Sequence, residues 1–360
     1  MPSCYRHYNQ PMSPSILLPL LAVAALFSLA TAGILLLVGH GAPQLAAHVA
    51  FALGILPLIL AATGYFVPVL TRSADAGVAM SWPPLLAWAG GLMAVVAFAG
   101  DFSSRLLSSA ATLAGIAALG VGSWALIRTR HMFGPRHRGL DWYLAALGFL
   151  LLALLAVVLM PWFPAQRNAL RLFHLHANLL GFVGVAALGT LQVLLPTCLG
   201  QADPDAAPRL RRDIKWAVAG ALLIALGAAL APSLALMGAL IYGIAVVRML
   251  NAWRRRFGAA LLQTHGAAPS LFAAALGLLG LLVLGAAHGF GWMPARPAVA
   301  GFVVAFLLPL VSGAAAHLLP VWLRPGSQGP WHHALRARLC RWGGLRGLLL
   351  LLLGLAITGL

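Results

Sequence analysis

FHLHANLLGFVGVAALGTLQVLLPT, which runs from Phe173 to Thr197, is apolar almost throughout and carries two histidines near its start. A helix of this length crosses a bilayer whose hydrocarbon core is about 30 Å thick. Histidine is costly in hydrocarbon unless a partner satisfies its ring nitrogens. The stretch therefore predicts a membrane-spanning helix on which His174 and His176 need a partner or a ligand.

The rest of the chain has the same apolar character. Of its 360 residues, 62% are hydrophobic and only 8% are charged, unlike a water-soluble domain. We expect an all-α, polytopic transmembrane helix bundle of about 11–12 spans, forming one membrane domain over residues 1–360. The last apolar run reaches the final residue, so we expect a short closing helix. The runs lie near residues 15–39, 44–70, 83–100, 106–127, 140–161, 171–197, 214–230, 232–250, 268–288, 298–322 and 343–360.

The placement of the basic residues predicts the orientation. The chain carries 23 Lys and Arg and a net charge of +17. With the N-terminus in the cytoplasm, 19 of the 23 fall in inward-facing loops, and only Arg105, Arg167, Arg171 and Arg296 face outward. This asymmetry follows the positive-inside rule and predicts a multi-pass protein of the bacterial inner membrane, with the lipid bilayer as its partner. The same asymmetry accounts for the positive net charge, so no nucleic-acid partner is needed to explain it.

Three of the predicted spans end alike, in GYFVPVLTR, QVLLPTCLG and AHLLPVWLR. Their prolines, Pro68, Pro196 and Pro320, are 128 and 124 residues apart and close the second, sixth and tenth runs. Equal spacing and equal direction favour three parallel four-helix pseudo-repeats, near residues 1–135, 136–258 and 259–360, the third incomplete. The alternative is that proline often ends membrane helices, so three ends can resemble one another by chance.

Counting back twenty residues from each proline gives His48, His176 and Ala300. Twenty residues of helix span about 30 Å, so both histidines lie at the outer edge of the hydrocarbon. Two imidazoles at one depth on neighbouring helices are what a six-coordinate haem needs, one on each side of its plane. The competing interpretation is that each histidine makes an ordinary hydrogen bond between helices.

His174 lies about 200° around the helix from His176, so the two rings cannot serve one metal from one face. Either the helix ligates two centres, or one ring is a ligand and the other bonds a propionate or a carbonyl. Asn178, one turn from His174, is placed to orient its ring. Arg167 and Arg171 lie just above, where haem propionates would emerge, or they only anchor the helix at the interface. We expect His40 and His288, at loop edges, to be solvated.

FHLHANLLGFVGVAALGTLQVLLP resembles the helix of heme-copper oxidase and nitric oxide reductase catalytic subunits whose HxH motif ligates two haems. LPLILAATGYFVPVL, residues 56–70, is similar to that family's second helix, which carries a haem-ligating histidine near its outer end. The family's twelve helices form three pseudo-symmetric arcs of four. The chain also resembles the NnrS family of haem proteins linked to nitric oxide in length and hydrophobicity.

The first resemblance implies that His48 is an axial ligand of a low-spin haem b. His176 or His174 would be its partner, and the other would face a second centre, giving one or two haems. The chain departs from the family in carrying HxH on the sixth span rather than the tenth. The predicted seventh span, IKWAVAGALLIALGAAL, has no histidine, so copper has no matching ligand set. The chain contains no glutamate, so no relay for a proton-pumping oxidase is visible.

The leading functional hypothesis is a haem-binding membrane protein on an oxidase-like scaffold. It would transfer electrons or bind nitric oxide or another diatomic gas near the outer face, within reach of a periplasmic electron donor. If it is an enzyme, it is an oxidoreductase. The alternatives are a membrane transporter, favoured by parallel repeats and by the polar Gln192 and Asn178, and a structural or assembly subunit without haem.

Overall fold

The computed structural model describes residues 14–38, 43–100, 103–130, 136–292 and 298–359. Over these residues the chain is built of helices and contains no strand. Eleven segments are long and apolar enough to cross a membrane, and we number them spans 1 to 11. They are Ile16–Val38, Pro43–Thr71, Val78–Ala99, Ser104–Arg130, Gly139–Leu159, Pro164–Leu199, Ala206–Leu230, Pro232–Leu262, Ala267–Gly289, Ala298–Leu323 and Pro330–Ile357.

The prediction of an all-α polytopic membrane bundle is confirmed. At most of their ends, the first ten predicted runs agree with spans 1 to 10 to within a few residues. The main exceptions are helices that extend into the loops. Span 7, for example, begins at Ala206 instead of residue 214, because its first turns carry polar residues that a hydropathy pattern misses. The cytoplasmic N-terminus and the repeat boundaries stay predictions.

Span 11 differs most from its prediction. It consists of two helices, Pro330–Cys340 and Gly343–Ile357, separated by Arg341 and Trp342. Trp342 has a left-handed backbone, φ 58°, which ends the first helix. The second helix has 15 residues and is about 22 Å long, short of a full hydrocarbon core. The closing helix is therefore short, as the sequence predicts.

Spans 2, 6 and 10 each contain a π-helical segment, which the sequence does not predict. The segments begin 19, 19 and 18 residues before Pro68, Pro196 and Pro320, so they share one register. A π segment widens one turn of a helix and is frequent at functional sites. In spans 2 and 6 it starts directly after a histidine, and in span 10 it starts after a glycine. The segments are Val49–Ile55, Ala177–Gly184 and Phe302–Leu307.

Neighbouring spans pack closely on the π segments. Within a π segment the backbone bonds are rearranged, so carbonyl groups need other donors. In span 6 the Tyr242 hydroxyl donates to the Leu180 carbonyl oxygen at 3.2 Å. In span 2 the carbonyl of Ala52 lies so close to Gly91 of span 3 that a side chain there would collide with it. The π geometry is thus fixed by tertiary contacts.

Spans 6 and 10 lie at the centre of the bundle. In their most apolar windows, 78% and 67% of the residues are buried, more than in any other described span. Together with spans 1, 2 and 5 they enclose a small apolar cavity of about 110 Å³ at the middle of the molecule. The outer spans expose Leu, Ile and Val side chains, which is the arrangement expected where lipid is the solvent.

A buried ion pair closes the arginine-rich end of span 6. The Arg209 side chain is 3% exposed and donates from Nε to Gln192 Oε1 at 2.9 Å and from Nη2 to Asp203 Oδ2 at 2.7 Å. The next residue, Leu210, accepts a hydrogen bond at its carbonyl oxygen from Trp142 Nε1 at 3.1 Å. These contacts tie spans 5, 6 and 7 together at one end and leave their other ends to shape the candidate site.

Candidate functional site

His48 and His174 line one cavity, which we call cavity A. Its volume is about 180 Å³, and it lies between spans 2, 3, 4, 5 and 6. Both imidazoles are part of its wall. His48 also packs against the ring of Phe98, with centroids 4.5 Å apart. The structure thus brings together one histidine from span 2 and the first histidine of the HxH motif.

Each histidine of the predicted site is held by a backbone carbonyl. His48 Nδ1 lies 2.7 Å from the Gln44 oxygen, His174 Nδ1 lies 2.9 Å from the Ala153 oxygen, and His176 Nδ1 lies 2.9 Å from the Leu172 oxygen. A carbonyl oxygen only accepts, so Nδ1 carries the proton in each neutral ring. Nε2 is then left with its lone pair, and no described residue donates to it. This is the tautomer that binds a metal through Nε2.

Asn178 lies directly beside His174. Its Nδ2 lies 3.0 Å from the His174 carbonyl oxygen and 3.2 Å from the His174 Nδ1. An amide nitrogen only donates, so Asn178 donates to the His174 carbonyl oxygen, and its Nδ2 makes only a contact with the His174 Nδ1 when that atom carries the proton. If Nε2 were protonated instead, its N–H would have no acceptor among the described residues. Asn178 is therefore in contact with the His174 ring, and its role in orienting that ring stays a prediction.

His176 faces a second and larger cavity, which we call cavity B. Its volume is about 560 Å³, and His288 of span 9 lines it as well. Arg171 lines both cavities and donates from Nη2 to Asn168 Oδ1 at 2.9 Å. The two histidines of the HxH motif therefore serve different cavities.

The two cavities are built from equivalent sets of spans. Cavity A lies between spans 2 to 6, and cavity B lies between spans 6 to 10 with a contribution from span 11. In this four-span shift His48 of cavity A corresponds to His176 of cavity B, because both precede their proline by twenty residues. His174 corresponds to Ala298, which lines cavity B. Cavity B therefore has an alanine where cavity A has its second histidine.

The residues around cavity A fit a haem in their chemistry. Two histidines whose Nδ1 atoms are bonded to carbonyls line one space, and its walls are apolar. The wall from spans 3 and 4 is made of small residues, which leave room for a flat ring; these are Gly90, Gly91, Ala94, Ala110, Ala111 and Ala114. Arg171 stands at the edge, where it is placed to pair with a carboxylate. The volume is below the roughly 300–1,000 Å³ of cofactor sites, so haem binding requires side chains to move apart.

Cavity B has the volume of a cofactor site. Its wall includes His176 and the apolar Ala298. His288 is exposed and has contacts of its own. The sequence assigned it to solvent because it follows the last apolar turn of its span. His40 lies outside the described residues.

The remaining predicted residues lie at the outer surface. Arg167 begins the helix that carries the HxH motif and is exposed. In the part of the chain that the structure describes, no three His, Cys, Asp or Glu side chains are close enough to hold a metal ion. A metal held here by one or two histidines needs further ligands, and a porphyrin brings four nitrogens of its own.

No known protein-family model matches the chain, and no curated protein is significantly similar to it in sequence.

Proposed function

We propose that this chain is a haem-binding membrane protein on a heme-copper-oxidase-like scaffold, with a haem b held in cavity A between His48 and His174. The observation that carries the proposal is the shared cavity: His48 and His174 both line it, and each has its Nδ1 bonded to a backbone carbonyl, which leaves Nε2 as the nitrogen that can bind a metal. A haem with both axial positions filled by histidine transfers electrons and leaves no site for a gas.

The protein residues would do three things in this proposal. The carbonyls of Gln44 and Ala153 fix the tautomer and the direction of the two ligand rings. The apolar walls exclude water, which sets the dielectric constant around the iron and hence its potential. Arg171, at the edge, would pair with a propionate and keep the ring edge toward the outer surface. When bound, haem supplies a one-electron couple within reach of a periplasmic donor.

A second candidate function rests on cavity B. His176 has the same Nδ1 bond as His48, and its cavity has room for a cofactor, but Ala298 stands where a second axial histidine would be. A haem there with His176 as its single ligand from the HxH helix would have an open position. That position would bind nitric oxide or another diatomic gas dissolved in the lipid, unless His288 fills it.

The transporter alternative loses one of its supports. Gln192 is 2% exposed, and its side-chain oxygen accepts the hydrogen bond from Arg209, so its polarity has a structural explanation. Asn178 bonds to His174. Neither amide therefore requires a transported substrate.

The test is an absorption spectrum of purified protein, oxidised and reduced with dithionite, after expression with ample haem. We expect low-spin haem b bands in the wild type and their loss in both His48→Ala and His174→Ala. His176→Ala should keep these bands and lose only the haem of cavity B, if that cavity is loaded. His333→Ala, an exposed histidine far from both cavities, is the control. A colourless wild type, or low-spin bands that survive His174→Ala and vanish in His176→Ala, would refute the assignment.

A further inference from the structure

One buried carboxylate holds two arginines at the arginine-rich end of spans 7 and 8. Asp213 of span 7 is 1% exposed. Its Oδ1 accepts a hydrogen bond from Arg212 Nε at 2.9 Å and lies 3.3 Å from Nε of Arg248 on span 8. Because both Nε atoms lie beside the same oxygen, the two guanidinium groups are neighbours, and one phosphate group can contact both.

Both arginines keep hydrogen-bond donors for a ligand. Each pairs with Asp213 through Nε, and within the described structure no group accepts a hydrogen bond from their Nη atoms. The side chains of Arg212 and Arg248 are 51% and 36% exposed. No Arg248 nitrogen is among the buried side-chain atoms without a partner, so its free Nη atoms can be reached from outside. A pair of Nη atoms matches the oxygens of a phosphate group.

The surroundings of this pair are strongly cationic. Residues 206–262, which form spans 7 and 8, include eight Lys and Arg and a single acidic residue, Asp213. Arg211 and Lys215 are exposed within one turn of Arg212. The Asp213 carboxylate is inaccessible, so a ligand meets the guanidinium groups instead. Such a surface favours an anion over a headgroup that carries its own ammonium group.

The pair lies at the depth of lipid headgroups. Spans 7 and 8 are antiparallel neighbours joined at Ala231, and Asp213 and Arg248 each lie about 26 Å along their helices from that turn. This is close to the roughly 30 Å thickness of the hydrocarbon core. Ile244 and Leu240, one and two turns back along span 8 from Arg248, are 38% and 75% exposed. The guanidinium groups therefore lie at the head of an exposed apolar stripe, which suits an acyl chain.

We propose that Arg212 and Arg248 bind the phosphate group of an anionic phospholipid whose acyl chains lie along span 8. The phosphate oxygens accept hydrogen bonds from the Nη atoms of both arginines, which Asp213 keeps in position through Nε. A zwitterionic phospholipid has the same phosphate group but brings an ammonium group into a cationic surface. A soluble phosphate ester lacks the apolar contacts. The site does not depend on haem, since neither arginine lines cavity A or B.

The experiment titrates delipidated full-length protein in detergent with three probes and counts the bound molecules by native mass spectrometry. The salt concentration is physiological, so that distant surface charges are screened. The probes are dioleoyl-phosphatidylglycerol, dioleoyl-phosphatidylethanolamine, which adds an ammonium group, and sn-glycerol 3-phosphate, which lacks the acyl chains. The site variants are Arg212→Gln, Arg248→Gln and Arg248→Lys. The matched control is Arg211→Gln, which removes the same charge from an exposed side chain that forms no ion pair with Asp213.

We expect the wild type and Arg211→Gln to bind the first phosphatidylglycerol about equally well. Arg212→Gln and Arg248→Gln should bind it about tenfold more weakly, because each loses one charge-assisted interaction. Arg248→Lys should also bind it more weakly than the wild type, because lysine has no Nη pair. Phosphatidylethanolamine should bind the wild type about as weakly as phosphatidylglycerol binds Arg212→Gln.

Three results would overturn the proposal. Arg211→Gln weakening the binding as much as Arg212→Gln would show diffuse charge instead of a site. Equal binding of the two phospholipids would remove the preference for an anion, and equal binding of sn-glycerol 3-phosphate would replace the lipid with a soluble phosphate ester. Arg248→Lys keeps a cation beside Asp213, so unchanged binding in this variant refutes the site even if a glutamine variant does not fold.

Discussion

Replacing Gly91 with alanine tests the contact between span 3 and the π segment of span 2. The new methyl group would lie 2.7 Å from the Ala52 carbonyl carbon and 3.0 Å from the Leu53 Cα. Non-bonded carbon atoms prefer a separation of about 3.5–4.0 Å, so the two spans must move apart by roughly 0.5–1 Å. Overpacking of this kind costs about 1–3 kcal/mol. Because Gly91 also lines cavity A, the movement should reach the proposed haem site.

The control is Gly115→Ala in span 4, where the new methyl group would meet no atom within 4 Å. Both variants gain the same helix propensity, about 0.5–1 kcal/mol, so the difference between them isolates the collision. We expect Gly91→Ala to unfold at a lower temperature than Gly115→Ala and to retain less haem per protein after purification. Equal unfolding temperatures and equal haem content in the two variants would show that the spans do not meet at Gly91 as described.

Two further predictions concern regions outside the cavities. Asp203→Asn leaves Arg209 buried without its counter-ion and should destabilise the protein by about 3–5 kcal/mol. The control, Asp205→Asn, changes an exposed side chain and should have little effect on stability. Equal denaturation midpoints for the two variants would contradict the buried ion pair. His137, in the loop before span 5, has its pKa lowered by burial and by the nearby Arg72, and its Nδ1 accepts a hydrogen bond from the Gly139 N–H at 3.1 Å. The unfolded state then binds more protons than the folded state, so this site's contribution to stability is present above about pH 6.5 and is lost as the pH falls below it. Unfolding temperatures at pH 7.5 and 5.5 should therefore differ less for His137→Gln than for the wild type, and an unchanged difference would contradict the assignment.

The membrane spans could be predicted because the hydropathy and the length of an apolar run are read from consecutive residues of the sequence. The run near residues 140–161, for example, agrees with span 5, Gly139–Leu159, because each of its residues contributes independently to transfer into lipid. The extension of span 7 to Ala206 and the break at Trp342 were missed, because polar or charged turns and a single left-handed residue leave no trace in hydropathy.

The candidate site was predictable only in part. Counting residues from the prolines gives the depth of a residue along its helix, and in this way it identified His48 and His176 as equivalent. It does not say in which direction each imidazole ring points. His48 turned out to share its cavity with His174, whereas His176, at the matching depth, lines cavity B. His288 is exposed, as predicted, and its place in the wall of cavity B could not be predicted because that cavity is formed by distant spans. The π segments were missed because their backbone geometry depends on contacts such as that of Tyr242 with Leu180.

Span 6 forms a shared wall between cavities A and B, and this has a thermodynamic consequence. His174 and His176 are two residues apart on one rigid turn, so a ligand that shifts or rotates this turn in one cavity must also move the histidine of the other. If occupancy of cavity A changes the affinity of cavity B by some factor, occupancy of cavity B must change the affinity of cavity A by the same factor. A π segment starts at Ala177, directly after this turn, and its irregular backbone accommodates a shift of the turn. Two sites built on one helix would therefore fill cooperatively or in competition, rather than independently.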